Sequence, residues 1–256
     1  MRGAIIGDIA GSAYEFNGVK TKDIELFPEG AEFTDDTVLT IAMADAILHD
    51  KSYRKSILYW GRKYPNESYG SRFREFLFSD NPRPYNSFGN GSAMRVSPVG
   101  WAFDTEEEVL KQAKMSAEVS HNHPEGIKGA QAVALAIFMG RAGASKNELR
   151  ERISRDFDYD LRRVLDEIRP TYTFDETCQR TVPEAIISFL ESTDFEDAIH
   201  NAISLGGDAD TLAAITGSIA EAFYGRIPGN LLIEGLERLD VEMIELIEEF
   251  LKRFGE

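Results

Sequence analysis

A chain of 256 residues, 43% of them hydrophobic, is long enough for a sizeable core and is expected to form one domain over residues 1–256. Its 44 acidic and 28 basic side chains give a net charge of −16, which repels phosphate backbones and argues against a nucleic-acid scaffold. Cys178 is the only cysteine, which excludes an intrachain disulfide and a thiolate zinc site. Asp8 interrupts the first apolar run too early for a signal peptide, and no stretch approaches ~18 uncharged apolar residues. No membrane span is expected, and the expected compartment is the cytoplasm.

Residues 2–14 read as a short helix of small residues, with Gly3, Gly7 and Gly11 spaced four apart. The glycines cost helix propensity, but they let a helix approach another backbone closely. Residues 16–33 read as a polar loop. Thr34-Asp35-Asp36-Thr37 then opens a helix, with Val38, Leu39, Ile41, Ala42, Ala44, Ile47 and Leu48 at helical spacing. Residues 52–64 form an amphipathic helix. From 64 to 91 prolines and glycines punctuate a run of interleaved aromatics, which predicts a long ordered loop. Residues 105–119 and 124–142 are helical, and 146–168 make one or two surface helices. Thr181-Val182-Pro183-Glu184 opens the next helix with proline just inside its start, and Asp194 opens another.

Ser204-Leu205-Gly206-Gly207-Asp208-Ala209-Asp210-Thr211 leads into a run that is apolar almost all round as far as Gly225. Such a helix belongs in a core. Asp208 and Asp210 sit at its start, where free amides and the helix dipole favour anions and make them good caps. Residues 230–238 and 241–254 complete the fold. No stretch alternates like a strand, so the fold class is all-α, a single-domain helical bundle around a central buried helix.

Capping needs one side chain, whereas each of these two helix starts supplies two acids and a threonine. If the helices pack side by side, four carboxylates and two hydroxyls meet near the core, and they repel unless a cation neutralises them. Oxygen ligands suit Mg²⁺, Mn²⁺ or Ca²⁺ rather than zinc, and this many can hold two ions. Asp8 is read as a bond to neighbouring backbone or side chains, and Glu15 as a solvated residue at a helix end.

Gly89-Asn90-Gly91-Ser92-Ala93-Met94-Arg95 has the form of an anion cradle, although Gly-Asn-Gly is also ordinary turn chemistry. Arg95 is read as a structural partner for an acid, with a phosphate contact as the alternative. Ser120-His121-Asn122-His123 lacks a third zinc ligand and reads as a polar loop before a helix, or as a hydrogen-bonding element in a pocket. His49-Asp50 has no histidine upstream, which discounts a His-Asp phosphohydrolase. Leu39 stands where a prenyl-diphosphate enzyme needs a third acid.

Taken together with Gly7-Asp8, Gly11-Ser12 and Glu15, these motifs resemble the ADP-ribosylglycohydrolase family, in family order and over nearly the whole chain. Ala209 departs from the threonine of many members. The resemblance implies an all-α orthogonal bundle with two divalent cations, Mg²⁺ or Mn²⁺, at the bottom of a cleft. The implied metal ligands are Thr34, Asp35, Asp36, Asp208, Asp210 and Thr211. Glu15 would be a gate or catalytic acid beside them, and Asp35 or Asp36 would activate water. Gly89, Asn90, Gly91, Ser92, Met94, His121 and His123 would bind substrate. The implied substrate is an ADP-ribosylated protein or ADP-ribose conjugate, cleaved at C1″. A two-metal nucleotide phosphohydrolase and a non-catalytic ADP-ribose-binding or structural relative are the alternatives.

Overall fold

The computed structural model describes residues 1–255, which form fifteen helices and no β-strand. The first half comprises α1 (Arg2–Ser12), α2 (Asp35–Leu48), α3 (Tyr53–Lys63), α4 (Ser71–Phe78), α5 (Gly91–Met94), α6 (Ser97–Ala102), α7 (Glu106–Ala117) and α8 (Pro124–Arg141). The second comprises α9 (Lys146–Phe157), α10 (Leu165–Ile168), α11 (Cys178–Glu191), α12 (Phe195–Ile203), α13 (Ala209–Tyr224), α14 (Gly229–Leu236) and α15 (Val241–Phe254).

The all-α reading holds, and two local expectations are corrected. The segment expected to be a long loop contains α4. Phe73, Phe76 and Leu77 are its buried residues, at helical spacing, and Leu77 packs against Gly61 of α3. The punctuation by proline and glycine hid an eight-residue helix held by tertiary packing. The helix expected to open at Thr181 begins at Cys178, so Pro183 lies inside it. Its first turn is fixed from outside: the Cys178 amide donates to the Phe88 carbonyl at 3.0 Å. The 146–168 stretch resolves into α9, with a Ser145/Glu148 capping box, and the single turn α10.

Helix α13 is the centre of the bundle, buried from Ala209 to Ala222, with α1, α8, α11 and α12 packed around it. Each large aliphatic side chain buried there contributes about 1.5–3 kcal/mol. The packing of α1 on α13 is backbone against backbone. A Cβ on Gly3 would lie 2.1 Å from the Gly217 carbonyl oxygen, one on Gly7 would lie 2.0 Å from that of Ala213, and one on Gly11 would lie 2.4 Å from that of Ala209. The three glycines that weaken α1 as a helix therefore create its groove. The pairing of Gly3 with Gly217 and of Gly11 with Ala209 makes the two helices antiparallel. At the far end Glu221 fixes this register, accepting from the Met1 ammonium at 2.5 Å, the Gly3 amide at 2.8 Å and Arg2 Nε at 3.1 Å. The C-terminal end of α1 is thereby delivered to the N-terminal end of α13, and α2 packs on α1 beside them.

Candidate metal centre and substrate cleft

Asp8, in the middle of α1, organises the start of α2. Its Oδ2 accepts from the Thr34 and Thr37 amides, both at 3.0 Å, and from the Thr37 hydroxyl; its Oδ1 accepts from the Thr34 hydroxyl at 2.6 Å. Thr34 caps α2 in turn, taking the Asp36 amide at 3.2 Å. The expectation that Asp8 bonds neighbouring backbone and side chains holds. Burial raises its pKa, against the pull of the Thr34 and Thr37 hydrogen bonds.

Around this anchor the acids of α2 and α13 converge. Carboxylate oxygens of Asp8, Asp36 and Asp210 lie within 4.8 Å of one another, and so do those of Glu15, Asp208 and Asp210. Asp210 belongs to both trios. Asp36 Oδ2 accepts from the Thr211 hydroxyl at 3.1 Å, while Asp36 Oδ1 is buried with no hydrogen-bond partner. Asp208 precedes α13 but makes no capping bond with its side chain, contrary to the sequence reading. Its Oδ2 is drawn instead to Asn90 Nδ2 at 2.6 Å.

Burial raises the pKa of every member, and for most of them the neighbouring carboxylates add to it. Asp36 is pushed well up by burial and then by Asp210 and Asp8, and Asp210 by burial and then by Asp208. Asp35 rises well above the ordinary carboxylate range through burial, Asp210 and Asp8. Glu15 rises to about 8 through burial, Asp210, Asp8 and Glu176. Asp208 rises to about 6, mainly by burial, with the Asp210 and Asn90 hydrogen bonds opposing. An orphaned carboxylate oxygen among converging hard oxygen donors is what a divalent cation satisfies. The donor set fits such an ion.

The carboxylates form one side of a cleft. The other is built by the segment from Gly89 into α5, by His121 and by α4, and Asn90 joins the two through Asp208. The segment at 89–90 is braced by the strap that precedes α11: Gly89 bridges Thr177, and the Asn90 amide donates to the Glu176 carbonyl at 2.8 Å. Gly91 packs closely on His121: a Cβ there would lie 3.0 Å from its Nε2, a contact tight enough to press on the ring. Arg95 corrects another expectation. It is fully buried and forms no ion pair among the described residues; Nη2 donates to the Ser116 carbonyl at 3.0 Å and Ser120 Oγ at 3.1 Å.

Glu15, Asp35, Asp36, Asp208, Asp210 and Thr211 line this cleft, as do Gly89, Asn90, Gly91, Met94 and His121. Asp35 belongs to neither trio. Thr34 lies outside the lining, its hydroxyl engaged with Asp8. Ser92 is fully buried and donates to the Gly126 carbonyl at 2.7 Å. His123 caps α8, its Nδ1 accepting from the Glu125 amide at 3.1 Å, with its ring edge-on to Phe88. Arg72, Phe73 and Tyr85, from the aromatic-rich 64–88 stretch, line the cleft too, whereas sequence reasoning missed Glu176. Glu176 carries no local signal, because the pairing of its strap with residues 88–90 is non-local.

A sequence profile of the ADP-ribosylglycohydrolase family matches residues 1–256. The chain is 28% identical to ADP-ribosylhydrolase ARH3 of Homo sapiens, with 94% of this chain and 90% of that protein covered. It is 26% identical to ADP-ribosylarginine hydrolase Tri1 of Pseudomonas putida, over 88% of this chain and 69% of that one. A solved structure titled ADP-ribosylglycohydrolase-related protein complex superposes with a TM-score of 0.73 at 25% identity, covering 98% of this chain and 96% of the other. The match over the full length, on a fold that gathers the acids of α2 and α13, makes this chain a member of the ADP-ribosylglycohydrolase family.

Proposed function

We propose that the protein hydrolyses the glycosidic bond at C1″ of ADP-ribose in a modified side chain or small conjugate, using two divalent cations, Mg²⁺ or Mn²⁺. The observation that carries the reading is the pair of carboxylate trios sharing Asp210, with Asp36 Oδ1 unpartnered between the helix starts. Family membership supports hydrolysis of ADP-ribosylated substrates. Residues 1–256 are read as one domain, in keeping with the full-length match. The residues that would hold the ions are Asp36, Asp208, Asp210 and Thr211, with Asp35 and Thr34 beside them. Bound there, divalent cations would neutralise the carboxylates and supply Lewis-acid positioning of a sugar's oxygens.

The chain's own residues then supply position and protons. The 89–91 backbone with Asn90 and Met94 forms the wall for the anionic part of the ligand. Glu15 stands half-buried at the cleft beside Asp208 and Asp210, where burial favours its protonated form. It can give that proton to the leaving atom as the C1″ bond breaks. Asp35, half-buried on the cleft and outside both trios, takes a proton from the attacking water as the new C1″–O bond forms. A phosphohydrolase would use similar acids but break a P–O bond. Hydrolysis in heavy-oxygen water separates the two: label at C1″ of released ADP-ribose supports this reading, and label in phosphate contradicts it.

A further inference from the structure

His121, Ser120 and Arg95 form a hydrogen-bonded chain whose direction is fixed by donor chemistry. A guanidinium donates and cannot accept. Ser120 Oγ therefore accepts from Arg95 Nη2, at 3.1 Å, and has one proton of its own to place. Ser120 is fully buried, and the acceptor within reach of its hydroxyl is His121 Nδ1 at 2.8 Å. Were Nδ1 protonated, that hydroxyl proton would be buried without a partner, at a cost of about 1–3 kcal/mol. Nδ1 is thus the acceptor, and the ring of a neutral His121 carries its proton on Nε2.

The surroundings keep the ring neutral and in place. Burial and then the Arg95 and Arg72 charges hold its pKa well below the usual histidine range. The ring sits 5.9 Å from Tyr85 and 6.3 Å from Phe73 between centroids, and the Arg95 guanidinium lies over Phe73 at 5.8 Å. Nε2 faces the 89–91 backbone, 3.6 Å from where a Cβ on Gly89 would stand. Arg95 Nε and Nη1 are buried without hydrogen-bond partners among the described residues, so within the protein the guanidinium is held through Nη2 alone.

We propose that Arg95 and Ser120 are positioning residues that lock His121 as the neutral Nε2–H tautomer, so that the cleft presents a fixed hydrogen-bond donor to a ligand oxygen. The identity of that oxygen, in the phosphates or hydroxyls of ADP-ribose, rests on the proposed function; the tautomer does not. An uncharged donor suits a cleft whose opposite wall is acidic, because it does not titrate as the carboxylates change charge.

The test is a long-range proton–nitrogen correlation spectrum of the ligand-free protein labelled at histidine, with His121 assigned by its loss in His121→Gln. The expected pattern is protonated Nε2 and bare Nδ1 across neutral pH. A protonated Nδ1, or an average of the two tautomers, overturns the proposal without any variant being needed. Ser120→Ala should convert the locked pattern to an exchange average and weaken ADP-ribose binding about tenfold, the scale of one hydrogen bond. Ser120→Thr, which keeps the hydroxyl, should restore both. A locked pattern that persists in Ser120→Ala overturns the role of Ser120. A locked wild-type spectrum with no ADP-ribose binding overturns the ligand assignment and the functional reading, and upholds the tautomer.

Discussion

Asp8 and Thr34 are joined twice, through the Thr34 amide at 3.0 Å and its hydroxyl at 2.6 Å, although they lie on separate segments of the chain. Those two hydrogen bonds, with the matching pair from Thr37, hold the start of α2 against α1 and fix where Asp35 and Asp36 stand. Asp8→Ala leaves these buried donors unsatisfied and should cost about 3 kcal/mol or more. Asp8→Asn keeps an oxygen for the amides and gives an N–H to the Thr34 hydroxyl, so its loss of stability should be much smaller. If Asp8 also serves as a cation ligand, Asn should weaken metal binding while leaving the metal-free melting temperature nearly unchanged. Thermal unfolding with and without Mg²⁺ separates the two contributions.

Gly7 allows α1 to reach α13. With a Cβ 2.0 Å from a backbone oxygen, Gly7→Ala has no flexible neighbour to displace, and the helices must separate. We expect a loss of about 3 kcal/mol or more, together with loss of activity, because the acids of α2 and α13 would no longer meet. Gly229→Ala, where a Cβ meets nothing within 4 Å, is the control and should be neutral or slightly stabilising. Equal melting temperatures for the two variants would contradict the packing account.

The metal-free cluster should make stability depend on pH in an unusual direction. Glu15 and Asp208 titrate at about 8 and about 6 in the folded protein, whereas unfolded carboxyls titrate near ~4. Between those values the folded state binds more protons than the unfolded state, so stability is lost as pH rises. In EDTA the melting temperature should fall from about pH 5 to about pH 8. Added Mg²⁺ or Mn²⁺ should flatten that slope by supplying positive charge. A flat or rising profile in EDTA would show that the carboxylates are not crowded as described.

Asp36→Asn and Asp210→Asn should separate folding from metal binding. Each replaces a buried, crowded acid by a neutral amide, so each metal-free variant should melt at or above the wild-type temperature in EDTA. Each should also lose most of the stabilisation that saturating Mg²⁺ gives the wild type. A variant that keeps the full metal-dependent shift would remove its residue from the ligand set.

The sequence revealed the fold class because apolar spacing and helix-start chemistry are local. The run after Asp208 is apolar all round, and it is the central helix. The spacing of Gly3, Gly7 and Gly11 announced a close approach, which the carbonyls of Gly217, Ala213 and Ala209 supply. The acid pairs were legible because their surplus over capping needs is local too. What was not legible depends on distant contacts. Helix α4 exists because Phe73, Phe76 and Leu77 are buried against other elements, and proline and glycine around it pointed to a loop. Glu176 reaches the cleft because its strap pairs with residues 88–90. Asp208 accepts from Asn90 instead of capping α13, and Arg95 finds a hydroxyl rather than an acid; neither partner is near in sequence.

The central claim is tested most directly by following release of free ADP-ribose from ADP-ribosyl-serine, ADP-ribosyl-arginine and O-acetyl-ADP-ribose, each with Mg²⁺, with Mn²⁺ and with EDTA. The account predicts release from at least one of them with metal, its abolition by EDTA, and its loss in Asp210→Ala protein that remains folded. Release that survives both EDTA and Asp210→Ala, or none from any substrate with metal present, would contradict it.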